Sequence, residues 1–279
     1  MSRDLYTKNN LQVSRLTTIN YSTSFSLGVR MLDKKIRGPV FAIYGFVRYA
    51  DEIVDTFLDY PRESMLDEFI EDTYKAIDRG ISTNPILDSF QTVVNEYGIE
   101  REHVDAFFSS MRMDLFNNRY DADKVKDYIY GSAEVVGLMC LRVFFHDDDQ
   151  KYQNLKYHAR KLGEAFQKVN FLRDLRSDNY ERGRIYFPDI IDNGFTENVK
   201  KKIEDNIRED FGEAYQGIKM LDKNARFGVY LAYIYYQQLF RKIQHSQPHA
   251  LMNGRIRIPN SHKMYLLIQA YFRNSMNFI

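Results

Sequence analysis

Apolar and polar positions follow one dominant rhythm along the chain. Apolar residues recur every three or four positions over most of the 279 residues, and sustained alternation is scarce. That spacing is typical of amphipathic helices, so the sequence predicts an all-α fold. Pro39 and Pro85 fit the first turns of two helices. Further helices are predicted over 62–79, 101–117, 123–145, 150–178, 197–223, 225–245 and 261–275.

Two local features refine this helical pattern. Asp121 or Asp123 is the expected N-terminal cap of the helix that starts near residue 123. Residues 181–194 break the pattern and are predicted to form a loop with a short extended piece. No Pro-, Gly- or Ser-rich linker and no internal repeat divides the chain, so residues 1–279 are expected to form a single domain of about ten helices.

Composition adds information about the interior and about partners. Only 6 Pro and 14 Gly occur, which favours long helices, while 21 Tyr and 20 Phe predict a thick core or an aromatic-lined cavity. The net charge of +1 gives no support for a nucleic-acid or anionic-membrane partner. Cys140 lies in an apolar run and is expected to be a small core residue in a reducing compartment.

The chain is expected to be soluble and cytoplasmic. Its start, MSRDLYTKNN, lacks the apolar core of a signal peptide, and no segment has the roughly 18 uninterrupted apolar residues that a membrane span needs. Peripheral contact with a membrane is left open.

An acidic stripe stands out on the helix that follows Pro39. Asp51, Asp55, Arg48 and Tyr44 fall within roughly 60° of one another on a helical projection. Apolar residues surround this stripe, and a helix that is apolar nearly all round is a buried one. The carboxylates are therefore predicted to face the interior or an internal cavity.

A second stripe lies on the helix predicted over 150–178. Gln167, Asn170, Asp174 and Asp178 share a face roughly 80° wide, with Arg173 beside it. Carboxylates one helical turn apart are the hard oxygen ligands that Mg²⁺ prefers, with substrate phosphates completing its shell. Two such stripes facing each other predict a site for Mg²⁺ and a diphosphate.

The alternative interpretation of each acid pair is a solvated face or a local ion pair, because such spacing is common on helices. The apolar surroundings of both stripes argue against it. The acid-rich segment HDDDQ at 146–150 lacks such surroundings and is predicted to be a solvated turn.

Four motifs in order resemble the squalene/phytoene synthase family, the head-to-head prenyl synthases. They are YSTSFSLG at 21–28, AIYGFVRYADEIVD at 42–55, YIYGSAEVVGLM at 128–139 and QKVNFLRDLRSDNYERGRIYFP at 167–188. The resemblance spans residues 15–265. It implies a single-domain isoprenoid-synthase helical bundle with a central active-site cavity. The family often has His-Ser-Lys-Ser-Phe where this chain has Tyr21-Ser22-Thr23-Ser24-Phe25, so side-chain contacts at that segment are open to doubt.

The resemblance implies roles for particular residues, which belong to three overlapping groups. The implied metal ligands are Asp51, Glu52, Asp55, Asn170, Asp174 and Asp178. The implied substrate-binding residues are Tyr21, Ser22, Thr23, Ser24, Tyr44, Arg48, Tyr130, Gln167, Arg173, Tyr186, Tyr230 and Arg255. The implied catalytic residues are Asp51, Asp55, Asp174, Asp178, Tyr44 and Arg48. Arg257 or Lys263 remains an alternative to Arg255.

The resemblance also implies a reaction. The wording of the motifs is most similar to bacterial phytoene synthases of carotenoid pathways. These join two geranylgeranyl diphosphates through a cyclopropyl (prephytoene) diphosphate to phytoene and release diphosphate. Mg²⁺ is the implied cofactor, with Mn²⁺ as a substitute, and no nucleotide cofactor is expected. The implied partners are prenyl diphosphate substrates, carotenoid-pathway enzymes and, left open above, a membrane surface, but not nucleic acid.

Two alternative functions stay open. One is a dehydrosqualene or squalene synthase that joins two C15 farnesyl diphosphates. The other is a non-catalytic assembly or scaffold protein on the same fold, which the two intact acidic motifs disfavour.

Small and aromatic residues have two interpretations each. Either the small residues set the depth of a tunnel for the substrate tails or they allow close helix packing; they are Gly131, Ala133, Gly137, Gly163 and Ala165. Either the aromatic residues stabilise a carbocation or they are ordinary core; the candidates are Phe25, Tyr44, Tyr130 and Tyr186.

Overall fold

The computed structural model describes residues 3–116 and 119–275, and within these ranges the chain is built from helices. The helices are α1 Arg3–Tyr21, α2 Thr23–Arg30, α3 Lys34–Asp55, α4 Arg62–Arg79, α5 Pro85–Tyr97, α6 Arg101–Phe116, α7 Ala122–Ile129, α8 Val135–Phe144, α9 Asp149–Arg176, α10 Pro188–Asn193, α11 Glu197–Met220, α12 Lys223–Gln244, α13 Pro248–Asn253 and α14 Asn260–Ser275. Two short π-helical segments join them. The first π-turn is Tyr130–Glu134, between α7 and α8, and the second π-turn is Ser177–Glu181, after α9.

The all-α prediction is confirmed, and α4, α5, α6, α9, α11, α12 and α14 follow the predicted bounds within a few residues. Position 117, the predicted end of the helix over 101–117, lies outside the described residues. In the described ranges the extended structure amounts to one isolated bridge between Arg119 and Ile185. The prediction that residues 1–279 form a single domain stays a prediction.

Helix caps explain where several helices begin. Asn84 accepts hydrogen bonds from the backbone N–H groups of α5, and Pro85 occupies its first turn as predicted. Asp121 caps α7 by accepting from the Lys124 N–H at 2.9 Å, which settles the choice between the two aspartates. Pro39 does not start its helix, because Asp33 caps α3 six residues earlier and places Pro39 inside it.

Three segments depart from the predicted pattern. The N-terminal residues, for which no helix was predicted, form α1 and α2. The single helix predicted over 123–145 is interrupted by the first π-turn. The predicted loop at 181–194 contains the short helix α10, which Pro188 starts and the positive-φ Gly194 ends.

Helix α3 lies at the centre of the largest apolar cluster. Its Phe46 is fully buried and stacks on Phe90 of α5, with ring centroids 3.7 Å apart. Helix α9 packs between α8 and α11, and its Gly163 permits the close approach: a Cβ there would meet the Ala133 carbonyl oxygen at 2.6 Å. The two helices that carry the acidic stripes, α3 and α9, thus border the same interior cavity.

No helix in the described ranges is long and apolar enough to cross a membrane.

Candidate active site

A cavity of about 550 Å³ opens between α2, α3, α8, α9, α11 and α12. One end is lined by acids, amides and arginines from α3, α9 and the segment after the second π-turn. The other end is lined by apolar side chains, among them Leu32, Leu141, Phe144, Leu155 and Leu221. Leu155 and Asp174 lie at opposite ends of the α9 wall, and 19 residues of helix span about 28 Å. The cavity therefore combines a charged end with a long apolar end.

The α3 wall carries the first predicted stripe. Tyr44, Arg48, Asp51 and Asp55 all line the cavity. Burial, and then the neighbouring Asp55 carboxylate, raise the pKa of Asp51 to about 7. Burial also raises the pKa of Tyr44 to about 12, so its hydroxyl remains a neutral donor. Its ring stacks on Phe25, with centroids 4.7 Å apart.

The α9 wall carries the second stripe. Gln167, Asn170, Arg173 and Asp174 line the cavity, and Asp178 joins them from the second π-turn. Burial, followed by the Asp174 carboxylate, raises the pKa of Asp178 to about 7. The carboxylates of both walls thus lie close enough to oppose one another's ionisation, which a bound cation would relieve.

Arginines bridge the two walls. Arg184 donates to Asp55 at 2.6 Å and is itself only 4% exposed. Arg182 donates to Asp178 at 2.9 Å and lies 3.6 Å from Asp55. The loop after α9 therefore ties the α9 carboxylates to those of α3.

Asp174 has its own pair of arginines. Arg173 forms an ion pair with it from the same helix, and Arg255 Nε lies 2.8 Å from its Oδ1. Arg255 is thus at the charged end of the cavity. The alternatives Arg257 and Lys263 do not line the cavity. Lys263 donates to Thr23, and the backbone carbonyl of Arg257 accepts from Lys242.

A buried tyrosine cluster holds the arginine loop in place. Asp114 of α6 accepts hydrogen bonds from the hydroxyls of Tyr120, Tyr128 and Tyr186 at 2.8–2.9 Å. Burial raises the pKa of Asp114, and Arg184, 3.5 Å away, opposes that rise. Because Tyr186 belongs to the RGRIYFP segment, these bonds fix the position of Arg184 relative to α3.

Five predicted site residues do not line the cavity. Glu52 instead pairs with Arg48 one turn earlier on α3. Thr23 bonds Lys263, and Ser24 lies on the same first turn of α2 without joining the lining, which Ser22 and Tyr21 do reach. The sequence left side-chain contacts between residues 21–25 and a ligand open to doubt. Of the four residues predicted there, Tyr21 and Ser22 line the cavity and could make such contacts.

Helix geometry explains why the other two, Tyr130 and Tyr230, do not line the cavity. Tyr130 opens the first π-turn, whose extra residue takes it out of phase with the lining face of α8, and it lies under Arg160, 5.2 Å from the ring centroid. Tyr230 is two residues before the lining residue Ala232, about 160° around α12, and is 2% exposed in the core. Neither side chain is part of the cavity lining.

Several lining residues were missed. Tyr236 donates to Asn170 at 3.2 Å and stacks on Phe166, with centroids 3.8 Å apart. It lies one turn beyond Ala232, but the aromatic-rich run YIYYQQ gives no signal to single it out. Arg182 and Arg184 were within a quoted motif without an assigned role, and Asp114 was a lone acid on an apolar helix face.

The small residues divide between the two open interpretations. Gly131, Gly137 and Gly163 serve close packing, since a Cβ on any of them would meet a backbone carbonyl oxygen within 2.9 Å. Ala133, Gly137 and Gly163 line the cavity, whereas Ala165 is fully buried away from it. Ala133 therefore lies at the cavity wall, where a larger side chain would narrow the space, whereas Ala165 does not.

The HDDDQ segment and Cys140 can also be compared with their predictions. Asp148 in the HDDDQ segment caps α9 by accepting from the Lys151 N–H at 3.0 Å, and its neighbours Asp147 and Asp149 have exposed side chains, as predicted for a solvated turn. Cys140 packs against the core and lines the cavity, and burial raises the pKa of its thiol to about 12. At that pKa it is not a thiolate nucleophile.

Comparison with known proteins shows which family this chain belongs to. The family model described as squalene/phytoene synthase matches residues 19–262. The chain is 28% identical to a phytoene synthase from Arthrospira platensis, covering 94% of this chain and 92% of that one. It is 27% identical to the 15-cis-phytoene synthase of Synechocystis sp., covering 94% and 84%. It is also 29% identical to a chloroplastic phytoene synthase from an Oncidium hybrid cultivar, over 80% of this chain and 58% of that one.

Solved structures share the fold. A dehydrosqualene synthase superposes with a TM-score of 0.80 at 20% identity, covering 97% of this chain and 98% of that one. The squalene synthase HpnC from Alicyclobacillus acidocaldarius superposes with a TM-score of 0.74 at 20% identity, covering 90% and 97%. The helical architecture is therefore shared with these proteins.

Proposed function

The chain belongs to the squalene/phytoene synthase family, and on that basis we propose that it is a Mg²⁺-dependent prenyltransferase of the phytoene synthase type. The proposed reaction joins two geranylgeranyl diphosphates head to head through a cyclopropyl diphosphate and yields phytoene and diphosphate. The observation that carries the proposal is the meeting of two acidic stripes, from α3 and α9, at the charged end of one apolar-lined cavity.

The donor set suits Mg²⁺ bound together with a diphosphate. Asp51, Asp55, Asn170, Asp174 and Asp178 offer hard oxygens around one space. In the described residues no three His, Cys, Asp or Glu side chains converge into a metal site of their own. Mg²⁺ sites of one or two carboxylates completed by water and substrate phosphate need no such cage. When bound, Mg²⁺ supplies charge that stabilises the departing diphosphate, and Mn²⁺ is proposed to substitute.

Glu52 has a weaker place in this proposal than in the sequence prediction. Its carboxylate is engaged by Arg48, so it acts by orienting that arginine. Tyr130, Tyr230, Thr23 and Ser24 are left out of the proposed substrate contacts, because they do not line the cavity.

The basic and polar side chains hold the diphosphate. Arg48, Arg173 and Arg255 all line the charged end, and Gln167 adds an amide. Guanidinium groups donate two parallel hydrogen bonds to phosphate oxygens, which fixes the orientation of the leaving group. The neutral Tyr44 hydroxyl lies on the same wall and donates to that group without carrying charge.

The apolar walls protect the carbocation that forms when diphosphate departs. Phe25, Tyr44 and Phe166 are aromatic residues of the lining, and an aromatic ring stabilises a cation over its face by about 0.5–2 kcal/mol. Exclusion of water by the surrounding side chains prevents capture of the cation as an alcohol. No nucleotide cofactor is part of the proposal.

Cavity length supports long tails. The α9 wall extends about 28 Å from Asp174 to Leu155. One leaflet of a bilayer holds a lipid tail in about 15 Å, half of the roughly 30 Å hydrocarbon core. The lining of α9 is therefore long enough to lie along a C20 tail. Two C15 substrates, giving dehydrosqualene or squalene, are the second candidate, because a dehydrosqualene synthase has the same fold.

Cytoplasmic localisation and contact with other carotenoid-pathway enzymes are parts of the same proposal. They rest on the family and on the finding that no described helix is suited to cross a membrane.

A product assay tests the proposed function. Purified protein is incubated with Mg²⁺ and C15 or C20 allylic diphosphate, with and without NADPH, and the extracted hydrocarbon is identified by mass spectrometry. A C40 hydrocarbon from the C20 substrate without NADPH is the expected result. A C30 product moves the assignment to the second candidate, and absence of product from a folded protein favours the scaffold alternative.

A further inference from the structure

Helix α14 exposes an unusual row of apolar side chains. Leu266 and Ala270 bury its inner face against α12. Five large apolar residues on its outer side are 52–60% exposed; these residues, the α14 stripe, are Met264, Tyr265, Ile268, Tyr271 and Phe272. The stripe follows spacings of three and four residues, so it forms one continuous surface rather than scattered exposed positions.

The charge around this stripe has one sign. Residues 223–279 contain eight Lys and Arg and no Asp or Glu. Lys263 and Arg273 are at the two ends of the α14 stripe. A helix with exposed aromatic and aliphatic residues flanked by cations matches the interfacial region of a bilayer, where tyrosines sit at headgroup level and Lys and Arg meet anionic lipids.

A second observation places further cations beside it. A surface groove runs between α1 and the start of α3, with Leu11 and Phe41 among its lining. Six cations line it; these residues, the cationic groove, are Arg3, Lys8, Arg15, Arg30, Lys34 and Arg37. Asp4 is the one acid in that lining. In the part of the chain that the structure describes, none of the six has a carboxylate within the 4.0 Å of an ion pair.

Helix α2 connects the α14 stripe to the cationic groove. At its start, Thr23 accepts a hydrogen bond from Lys263 of α14. At its end, Met31 packs in the same apolar cluster as α14, while the adjacent Arg30 lines the groove. The inner side of α2, with Phe25 and Val29, is a wall of the active-site cavity.

From these contacts we infer that the α14 stripe and the cationic groove together form a docking surface for an anionic lipid bilayer. The apolar stripe distinguishes this partner from nucleic acid, which would be met by cations alone. The excess of cations disfavours pairing of the stripe with a second copy of itself, since like charges would face each other. The surface lies one helix away from the cavity, so a lipid substrate or product has a short path between bilayer and cavity.

Vesicle flotation tests the inference. The full chain is mixed with vesicles of phosphatidylcholine alone or of phosphatidylcholine with phosphatidylglycerol, and the bound fraction is measured at low and high salt. The stripe variant carries Met264→Gln, Ile268→Gln and Phe272→Gln, which keep helix propensity. The groove variant carries Arg15→Gln, Arg30→Gln and Lys34→Gln.

Two matched controls separate surface from composition. The apolar control carries Leu58→Gln, Tyr157→Gln and Met220→Gln, at positions 52–54% exposed outside α14 and the lining of the cationic groove. The charge control carries Lys75→Gln, Lys126→Gln and Lys202→Gln, three exposed lysines elsewhere, and changes the net charge by the same amount as the groove variant.

The expected result is binding to the anionic vesicles that weakens with salt. The groove variant should lose roughly fivefold in affinity for each cation removed, and the stripe variant about tenfold or more. The two controls should bind as the unmodified chain does. Equal binding by all variants, or no binding to anionic vesicles, overturns the inference.

A different occupant of the surface is also detectable. Sedimentation velocity without lipid reveals self-association, and dimers that the stripe variant abolishes, in a chain that ignores vesicles, would overturn the bilayer in favour of a second copy. Because vesicle binding is measured without substrate, its failure is independent of failure of the proposed reaction.

Discussion

At the scale of single residues, Asp51 and Asp174 are carboxylates on different helices that line the same charged end of the cavity. Replacing either by Asn keeps shape and removes the charge that would bind Mg²⁺. We expect turnover to fall by a factor of about 10³ or more, since metal charge stabilises the leaving group. Steady-state assays with C20 substrate measure it, with circular dichroism to confirm folding.

The matched control is Asp148→Asn in the solvated HDDDQ turn. Asn is an N-cap residue as good as Asp, so the start of α9 is retained. Turnover close to that of the unmodified chain is expected. A severe loss there, or near-normal turnover for Asp51→Asn, would contradict the assignment of the metal site.

The raised pKa of Asp51 predicts how the metal-free protein responds to pH. Its folded pKa of about 7 is above the usual value of 3.8, so the folded state holds this proton more tightly than the unfolded chain does. The associated stability is fully present below pH 3.8 and is lost as pH rises to about 7. Melting temperatures in EDTA between pH 5 and 8 should therefore fall more steeply for the unmodified chain than for Asp51→Asn, taking pH 5–8 as roughly the window around that pKa.

Addition of Mg²⁺ with diphosphate should remove this difference in slope, because bound cations favour the ionised carboxylates. Parallel slopes for both proteins without metal would show that Asp51 does not titrate in this range.

Arg184 is the residue whose loss should most weaken the fold around the site. It is 4% exposed and is shared by Asp55 and Asp114. Arg184→Met leaves the buried Asp114 without its cation and leaves Asp55 with only the longer contact to Arg182. Removing one partner of a buried ion pair costs about 3–5 kcal/mol. Urea unfolding measures this free energy.

Arg182→Met is the comparison for this change. Arg182 contacts Asp55 and Asp178 but its side chain is 26% exposed, so water replaces it more readily. A smaller loss of stability than for Arg184→Met is expected. A reversed order would mean that the arginine loop is held chiefly by Arg182.

At the scale of elements, the packing of α9 against the first π-turn depends on Gly163. A Cβ at this position would lie 2.6 Å from the Ala133 carbonyl oxygen, which must move to admit it. Gly163→Ala should therefore destabilise the fold by about 1–3 kcal/mol, the usual cost of overpacking. Thermal or urea unfolding measures the change.

Gly212 provides the opposite outcome on a comparable helix. It lies inside α11, and no atom is within 4 Å of the position that a Cβ would occupy, so the added methyl meets open space. Gly212→Ala should gain about 0.5–1 kcal/mol, because glycine weakens a helix interior. Equal effects of the two substitutions would mean that close packing at Gly163 is relieved without cost.

The sequence predicted the positions of helices better than it predicted which side chains face the cavity. Spacing of apolar residues located α4, α5 and α9 and both acidic stripes, because helical periodicity is written locally. It missed the two π-turns, whose extra residue has no composition signal, and so did not show that Tyr130 is turned away from the lining of the cavity. It also chose Tyr230 rather than the lining residue Tyr236, because a choice among neighbouring tyrosines requires the rotation of α12 relative to the cavity.

At the scale of the whole molecule, the cavity joins a charged end to an apolar end, and its length selects substrates. Ala133 lines the wall, so a larger side chain there narrows the space for the tails. Ala133→Phe should reduce turnover of C20 diphosphate by about tenfold or more while sparing C15, since overpacking is felt where the longer tail lies. Competition between the two substrates, analysed by mass spectrometry, measures the ratio.

Ala165→Phe is the contrasting change, because Ala165 lies in the core away from the cavity. It should lower stability without changing the ratio of C20 to C15 products. An equal loss with both substrates in Ala133→Phe would argue that the wall at Ala133 does not set depth.

Whole-chain quantities were the poorest guides to partners. The net charge of +1 gave no support for an anionic partner, yet residues 223–279 hold eight cations and no acid. An average over the chain hides such a division, because acids in the first part cancel cations in the last. Only the fold shows that α14 brings some of those cations to the edge of an exposed apolar surface.

The second π-turn also limits how this protein can vary in length. The Arg182 N–H bonds to the Ser177 carbonyl at 3.1 Å, five residues back, so the turn holds one residue more than an α-helical turn. Loss of one residue here would rotate the following chain by about 100° and shift it by about 1.5 Å. The arginine loop would then leave Asp55, although Tyr180 within the turn is 70% exposed and free to change identity. Within this segment a substitution at Tyr180 is therefore tolerable, whereas both Asp178, a proposed metal ligand, and the number of residues are constrained.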